Sequence, residues 1–104
     1  MKRTEHTQKW LDALRSGKYK QGFGGLNRKG EFCCLGVACD VHSPDAWIDC
    51  GNYHGHTFGA GTMNAKGLVA FGMTETESSK LICLNDNGDS NFPEIADAIE
   101  AMIE

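Results

Sequence analysis

The 104 residues contain no uncharged apolar run of the length needed to cross a bilayer, about 18 residues or more, so a membrane-spanning helix is excluded. The opening Met1-Lys2-Arg3-Thr4-Glu5-His6 leads into no apolar stretch, which predicts no secretory signal and a cytosolic protein. Internal repeats and low-complexity tracts are absent, and 40% hydrophobic residues, evenly spread, exclude a disordered chain. A chain this short has no room for a second lobe or for a cofactor fold with its substrate domain. One domain, 1–104, with no cofactor is therefore predicted, and multi-domain enzymes are excluded.

Basic charge is almost missing from the second part of the chain. After residue 30 only Lys66 and Lys80 stand against twelve acids, a net of −10. Residues 1–30 carry Lys2, Arg3, Lys9, Arg15, Lys18, Lys20, Arg28 and Lys29 against Glu5 and Asp12, a net of +6. The overall charge of −4 hides this division, which separates a basic front from an acidic back.

Five cysteines, Cys33, Cys34, Cys39, Cys50 and Cys83, are an odd number in a chain with no secretory signal, and reduced thiols are predicted. Cys33 and Cys34 sit beside Phe32, Leu35, Val37 and Ala38, the setting of a small buried hydrophobe.

Periodicity places a first helix over 4–16, with Trp10, Leu11 and Leu14 as its apolar stripe, Thr4 or Thr7 capping its start and Gly17 just past its end. The glycines of Gln21-Gly22-Phe23-Gly24-Gly25 forbid a helix next, so an extended segment and a turn at Asn27-Arg28-Lys29-Gly30 are predicted. Periodicity alone assigns the apolar run Phe32 to Val41 to neither helix nor strand; its length and the stop at Pro44 favour a buried helix over 33–41, with Gly36 allowing a neighbour to pack closely. Short strands and loop are predicted over 44–62, then a short helix over 62–71 with Leu68 and Phe71 inward and Gly72 closing it. Thr74-Glu75-Thr76-Glu77 has the form of a capping box opening a helix that carries Leu81, Ile82 and Leu84 and ends at Gly88. A last helix starts at Asn91, with Pro93 in its first turn. It sets Ile95, Ile99, Met102 and Ile103 on one face and leaves Glu94, Asp97, Glu100 and Glu104 to solvent. The elements together predict an α+β fold, a small helix-rich domain of four to five helices around a short antiparallel hairpin.

Three segments carry a resemblance: Trp10 to Gly22, containing Ala13-Leu14-Arg15-Ser16-Gly17-Lys18-Tyr19-Lys20-Gln21-Gly22; Phe32 to Asp40, containing Cys33-Cys34-Leu35-Gly36-Val37-Ala38-Cys39-Asp40; and Leu81 to Gly88 with Phe92 to Ile99. In this order they resemble a family of small proteins encoded by phages and prophages. The resemblance covers roughly half of the chain and departs from the family at Ser90-Asn91-Phe92, where a direct Ser-Phe is usual. It implies a viral accessory protein acting inside a bacterial host cell, of the kind that occupies a host defence protein or a nucleotide signal. It carries over no catalytic residues.

The basic, glycine-rich stretch is the leading candidate site. Phosphate recognition needs fixed positive charge and backbone amides that glycine lets come close. Lys18, Lys20, Arg28 and Lys29 supply the charge, Gly24 and Gly25 the open backbone, and Tyr19 and Phe23 faces for a base to stack on. Free amides at a helix start near Cys33 would add to the anion site. Neither a Walker A motif nor a dinucleotide fingerprint is present. A small anionic or nucleotide ligand is the predicted partner, and a dimer interface is a natural place for so small a chain to enclose it.

Three other readings compete. Cys39-x-x-His42 followed by Cys50-x-x-x-His54 offers four zinc-type ligands. Cys33 or Cys34 could act as a nucleophile with His54 or His56, although apolar surroundings raise a thiol's pKa and whether the chain is an enzyme stays open, with a non-enzyme favoured. The acidic face of the last helix would suit a protein-binding inhibitor of a host defence factor. DNA readout is excluded: Leu81 to Gly88 with Phe92 to Asp97 resembles two helices of a helix-turn-helix, but no third helix follows and the face is acidic.

Overall fold

A computed structural model describes residues 1–88 and 90–104. Helix α1 (Thr7–Arg15) buries Trp10, Leu11 and Leu14 and is followed by Gly17 at φ 76°, the left-handed residue expected past its end. Its start differs from the predicted one. His6 holds the capping position without a side-chain bond, because the two threonine hydroxyls bind elsewhere. Thr7 Oγ1 accepts the Thr4 amide at 2.9 Å and Thr4 Oγ1 donates to the Ala70 carbonyl at 2.8 Å, tying the leading residues to the end of a distant helix.

The glycine-rich stretch forms a three-stranded sheet of β1 (Lys20–Gln21), β2 (Asn27–Arg28) and β3 (Glu31–Phe32) in the order β1-β3-β2. β3 runs antiparallel to β2 and parallel to β1. The β2–β3 turn places Lys29 at φ 56° and Gly30 at φ 86°, both left-handed, as a two-residue type I′ hairpin requires. Asn27 Oδ1 accepts the Gly30 amide at 2.9 Å and pins that turn.

Helix α2 (Cys34–His42) is the centre of the molecule, with Cys34 to Cys39 all buried. A helix apolar all round must be covered on every side. α1 lies against it, α4 (Glu75–Asp86) covers another side, and the chain before β2 presses on Gly36. A Cβ at Gly36 would stand 1.7 Å from the Leu26 carbonyl oxygen, so only glycine permits this approach.

After α2 come a single 3-10 turn (Pro44–Ala46) and a second hairpin, β4 (Ile48–Asp49) with β5 (His54–Gly55), which lies beside β2. Helix α3 (Ala65–Ala70) buries Leu68, with Phe71 inward at its end and Gly72 at φ 65° beyond it. The capping box of α4 is formed, with Thr74 Oγ1 accepting the Glu77 amide and Glu77 Oε1 accepting the Thr74 amide. Helix α5 (Phe92–Met102) carries a second capping box between Asn91 and Glu94. It packs on α1 and α4 and buries Phe92, Ile95, Ala96 and Ile99. The fold is α+β, helix-rich, with short strand pairs to one side. Among the described residues no helix is long and apolar enough to cross a membrane.

The inward face of α4 carries polar residues that periodicity does not reveal: Ser78 and Asn85 are buried with Leu81, while Ile82 and Leu84 are only half-buried. Asn85 is fully buried and uses both ends of its amide. Its Oδ1 accepts from Gln21 Nε2 (3.1 Å) and from the Cys34 amide (3.2 Å), and its Nδ2 donates to the Gly22 carbonyl (2.8 Å) and to Asp86 Oδ1 (3.0 Å). One side chain thus locks β1, the start of α2 and the end of α4 together.

A seam of rings fixes the rest. Tyr19, Phe32, Trp47, His56, Phe58 and His42 follow one another with centroids 4.6–5.8 Å apart. From His42 the contacts pass to His6 at 4.5 Å, then to Phe71 at 5.8 Å, and on to Trp10 at 5.2 Å. Edge and tilted contacts at such spacing are the favoured aromatic geometries. Strands of two residues hold the segment 43–64 only weakly, and the seam supplies what they do not.

Candidate functional site

The expected site divides at the sheet. Lys18, Tyr19 and Lys20 lie on the β1 side, whereas Phe23, Gly24, Gly25, Arg28 and Lys29 gather on the β2 side against the β4–β5 hairpin. Two contiguous cavities form there. One, of about 460 Å³, is lined by Phe23, Arg28, Lys29, Glu31 and Asn52; the other, of about 350 Å³, is lined by Gly24, Gly25, Arg28, Asn52, Tyr53, Ala60 and Gly61. Arg28 and Asn52 line both, and the two cavities adjoin there.

Glycine positions the arginine. A Cβ at Gly25 would lie 3.3 Å from Arg28 Cγ, and one at Gly24 3.3 Å from an Arg28 guanidinium nitrogen, so the side chain lies across bare backbone. Gly24 also takes φ 80°, which favours glycine independently. Neither Arg28 nor Lys29 has an ion-pair partner among the described residues. Glu31 does have one, since Lys20 Nζ stands 3.6 Å from its carboxylate in the neighbouring strand. Lys20, Glu31 and Arg28 therefore form a row across the sheet in which Lys20 offsets the acid beside Arg28.

Several expected contributions to an anion site are absent. Tyr19 is no stacking platform: its hydroxyl donates to Asp40 Oδ2 at 2.5 Å and its ring packs on Phe32. Burial and the Asp40 carboxylate both raise its pKa, while Asp40 Oδ1 accepts from Trp47 Nε1 at 2.9 Å. The start of α2 offers no free anion site, because the Cys34 amide is bound by Asn85 and the Gly36 amide by the Cys33 thiol. Four amides of the glycine stretch are likewise engaged: Gly22 with Phe32, Leu26 with Ala60, Gly30 with Asn27, and Gly24 with Asp86 at 3.4 Å. The side chains that the groove offers for recognition are the Arg28 guanidinium, the Lys29 ammonium, the Asn52 amide and the faces of Phe23 and Tyr53.

Asn52 and Tyr53 were not among the expected residues. They stand on the β4–β5 turn, where the Gly51 amide donates to Asp49 Oδ1 and the Cys50 amide to the Tyr53 carbonyl, both at 2.9 Å. A turn that holds out a large aromatic is a local signal, but its approach to β2 is a tertiary fact.

The structure corrects the zinc reading. Cys39 is buried in α2, Cys50 is exposed, His42 bonds Ser43 Oγ through Nδ1 at 2.6 Å, and His54 Nδ1 is buried with no partner among the described residues. Among the described residues no three His, Cys, Asp or Glu side chains are grouped to hold a metal ion. The nucleophile reading is also corrected. Burial pushes the Cys33 thiol up to about 11 and raises that of Cys34 strongly, and the Cys34 thiol donates to the Leu81 carbonyl. Both ring nitrogens of His56 are already engaged, Nε2 with the Ser43 carbonyl and Nδ1 with the Phe58 amide. The acids expected to face solvent, Glu94, Asp97, Glu100 and Glu104, are all exposed, and two of them, Asp97 and Glu100, also pair with Arg15 at 2.8 and 2.5 Å.

The family profile of DUF8296, a domain of unknown function, matches residues 1–61. The chain belongs to the DUF8296 family. Every residue lining the two cavities, from Phe23 to Gly61, falls in the part matched by DUF8296, while α3, α4 and α5 fall outside it. No curated protein and no solved structure matches the chain.

Proposed function

We propose that this DUF8296 protein is a non-enzymatic accessory protein, carried by a phage or prophage and working in the bacterial cytoplasm. It binds a small phosphorylated or nucleotide ligand in the groove between the two hairpins, and so withholds that ligand from a host defence system. The observation that carries the reading is Arg28, laid over Gly24 and Gly25 with no carboxylate partner among the described residues, in a groove that also holds Lys29, Asn52, Phe23 and Tyr53. A guanidinium fork suits phosphate oxygens, and aromatic faces suit a base whatever its identity. The phage origin rests on the resemblance of the segments 10–22, 32–40, 81–88 and 92–99.

The competing reading, an inhibitor that docks through acidic C-terminal helices, is weakened by Arg15, which already engages Asp97 and Glu100.

Thermal shift against inorganic phosphate and a nucleotide panel is the test, because a ligand bound only by the folded state raises Tm by mass action. A rise with at least one nucleotide, lost in the double variant Arg28→Ala/Lys29→Ala, is expected. No shift at millimolar ligand overturns the reading.

A further inference from the structure

We infer that the groove is shaped for a dinucleotide, with one base in each cavity and the bridging phosphate at Arg28; the inference rests on the function proposed above. The two cavities meet at Arg28 and Asn52, so the one guanidinium that lines the groove among the described residues stands at the junction and not at an end. Each cavity contributes one exposed aromatic, Phe23 at 50% exposure in the first and Tyr53 at 42% in the second. The described residues expose only four large hydrophobic side chains, Phe23, Ile48, Tyr53 and Val69, and both aromatics among them line this groove. Cavities of about 460 and 350 Å³ each fall within the roughly 300–1,000 Å³ of small-molecule sites, so neither needs the other to hold a nucleoside.

A mononucleotide with its phosphate on Arg28 fills one cavity and leaves the other aromatic in water. A dinucleotide places its phosphodiester between two bases, which is the order aromatic, guanidinium, aromatic found here. Glu31 fits the same arrangement. It lines the Phe23 cavity, it can only accept when ionised, and Lys20 keeps it in place; an exocyclic base amine suits it and a phosphate does not. Lys29 beside it takes a second phosphate where the ligand has one.

Isothermal titration of the full chain tests this with linear 5′-phosphorylated diadenylate, cyclic diadenylate and cyclic diguanylate, against AMP, GMP and inorganic phosphate. At least one dinucleotide should bind tenfold or more tightly than either mononucleotide. Phe23→Ala and Tyr53→Ala should each weaken that dinucleotide by about 5-fold or more, as the loss of one base stack predicts. Both side chains are exposed, so the variants should fold, with far-UV circular dichroism as the check. The linear and cyclic arms show which linkage fits. Mononucleotides binding as well as every dinucleotide, or only one aromatic variant having an effect, overturns the two-base site while the proposed function stands. No binding by any of the six probes overturns both.

Discussion

Cys34 and Asn85, 51 residues apart, are joined by a hydrogen bond from the Cys34 amide to the Asn85 side-chain oxygen at 3.2 Å, deep in the core. The same asparagine holds Gln21 and the Gly22 carbonyl, so strand β1 and helices α2 and α4 share one buried amide. A network of this kind is strong when complete and costly when broken, because each group left behind is buried without water.

Asn85→Ala should therefore destabilise the fold by about 3 kcal/mol, since it strands at least the Cys34 amide and the Gly22 carbonyl and leaves a void. Urea denaturation followed by circular dichroism measures it. A change under about 1 kcal/mol would show that the network contributes little.

Stability should fall as pH drops below about 6.5. His42 is packed against His6, Phe58 and Phe71, and desolvation first, then the neighbouring His6 and His56, lower its pKa in the fold, with Glu5 opposing. The unfolded chain then binds the proton more readily than the folded one. The stabilisation is present above the unfolded pKa and is lost as pH falls through it toward the folded value. Tm measured from pH 7.5 to 5.5 should decline, and His42→Phe, which keeps a ring in the seam, should flatten the slope. An unchanged slope in that variant would assign the pH effect elsewhere.

Thiol labelling should divide the five cysteines into two classes. Cys50 and Cys83 are exposed and should react with a disulfide reagent at pH 8 within minutes, whereas Cys33, Cys34 and Cys39 are buried with raised pKa values and should react only on unfolding. More than two fast thiols in the native protein would contradict the packing of α2.

Features that depend on neighbours in sequence were legible from the letters. The Thr74–Glu77 capping box, Gly17, Gly72 and Gly88 past the helix ends, and the turn closing at Gly30 are all local devices, and each is where the pattern placed it. The buried helix α2 was legible from the length of its apolar run and the stop at Pro44, where periodicity alone left a strand open, and Gly36 because a glycine inside it admits a close neighbour. What that neighbour is, the Leu26 carbonyl, was not. Asn85 carries no local signal, since its partners lie up to 64 residues away. The candidate site was half legible. Arg28, Lys29, Phe23 and the two glycines share one segment, but Asn52 and Tyr53 join them only because two hairpins lie side by side. Tyr19 was misread for the same reason: nothing local shows that Asp40 and Phe32 occupy it.

Similarity of sequence within the family and cooperativity of folding have different limits in this molecule. The match stops at residue 61, yet the apolar stripe of α1 is covered by α5 and the start of α2 is satisfied by a side chain of α4. The groove-bearing segment therefore stands on a scaffold that the last forty or so residues complete, and residues 1–61 alone would leave the Cys34 amide without Asn85 and the α5 side of α1 bare.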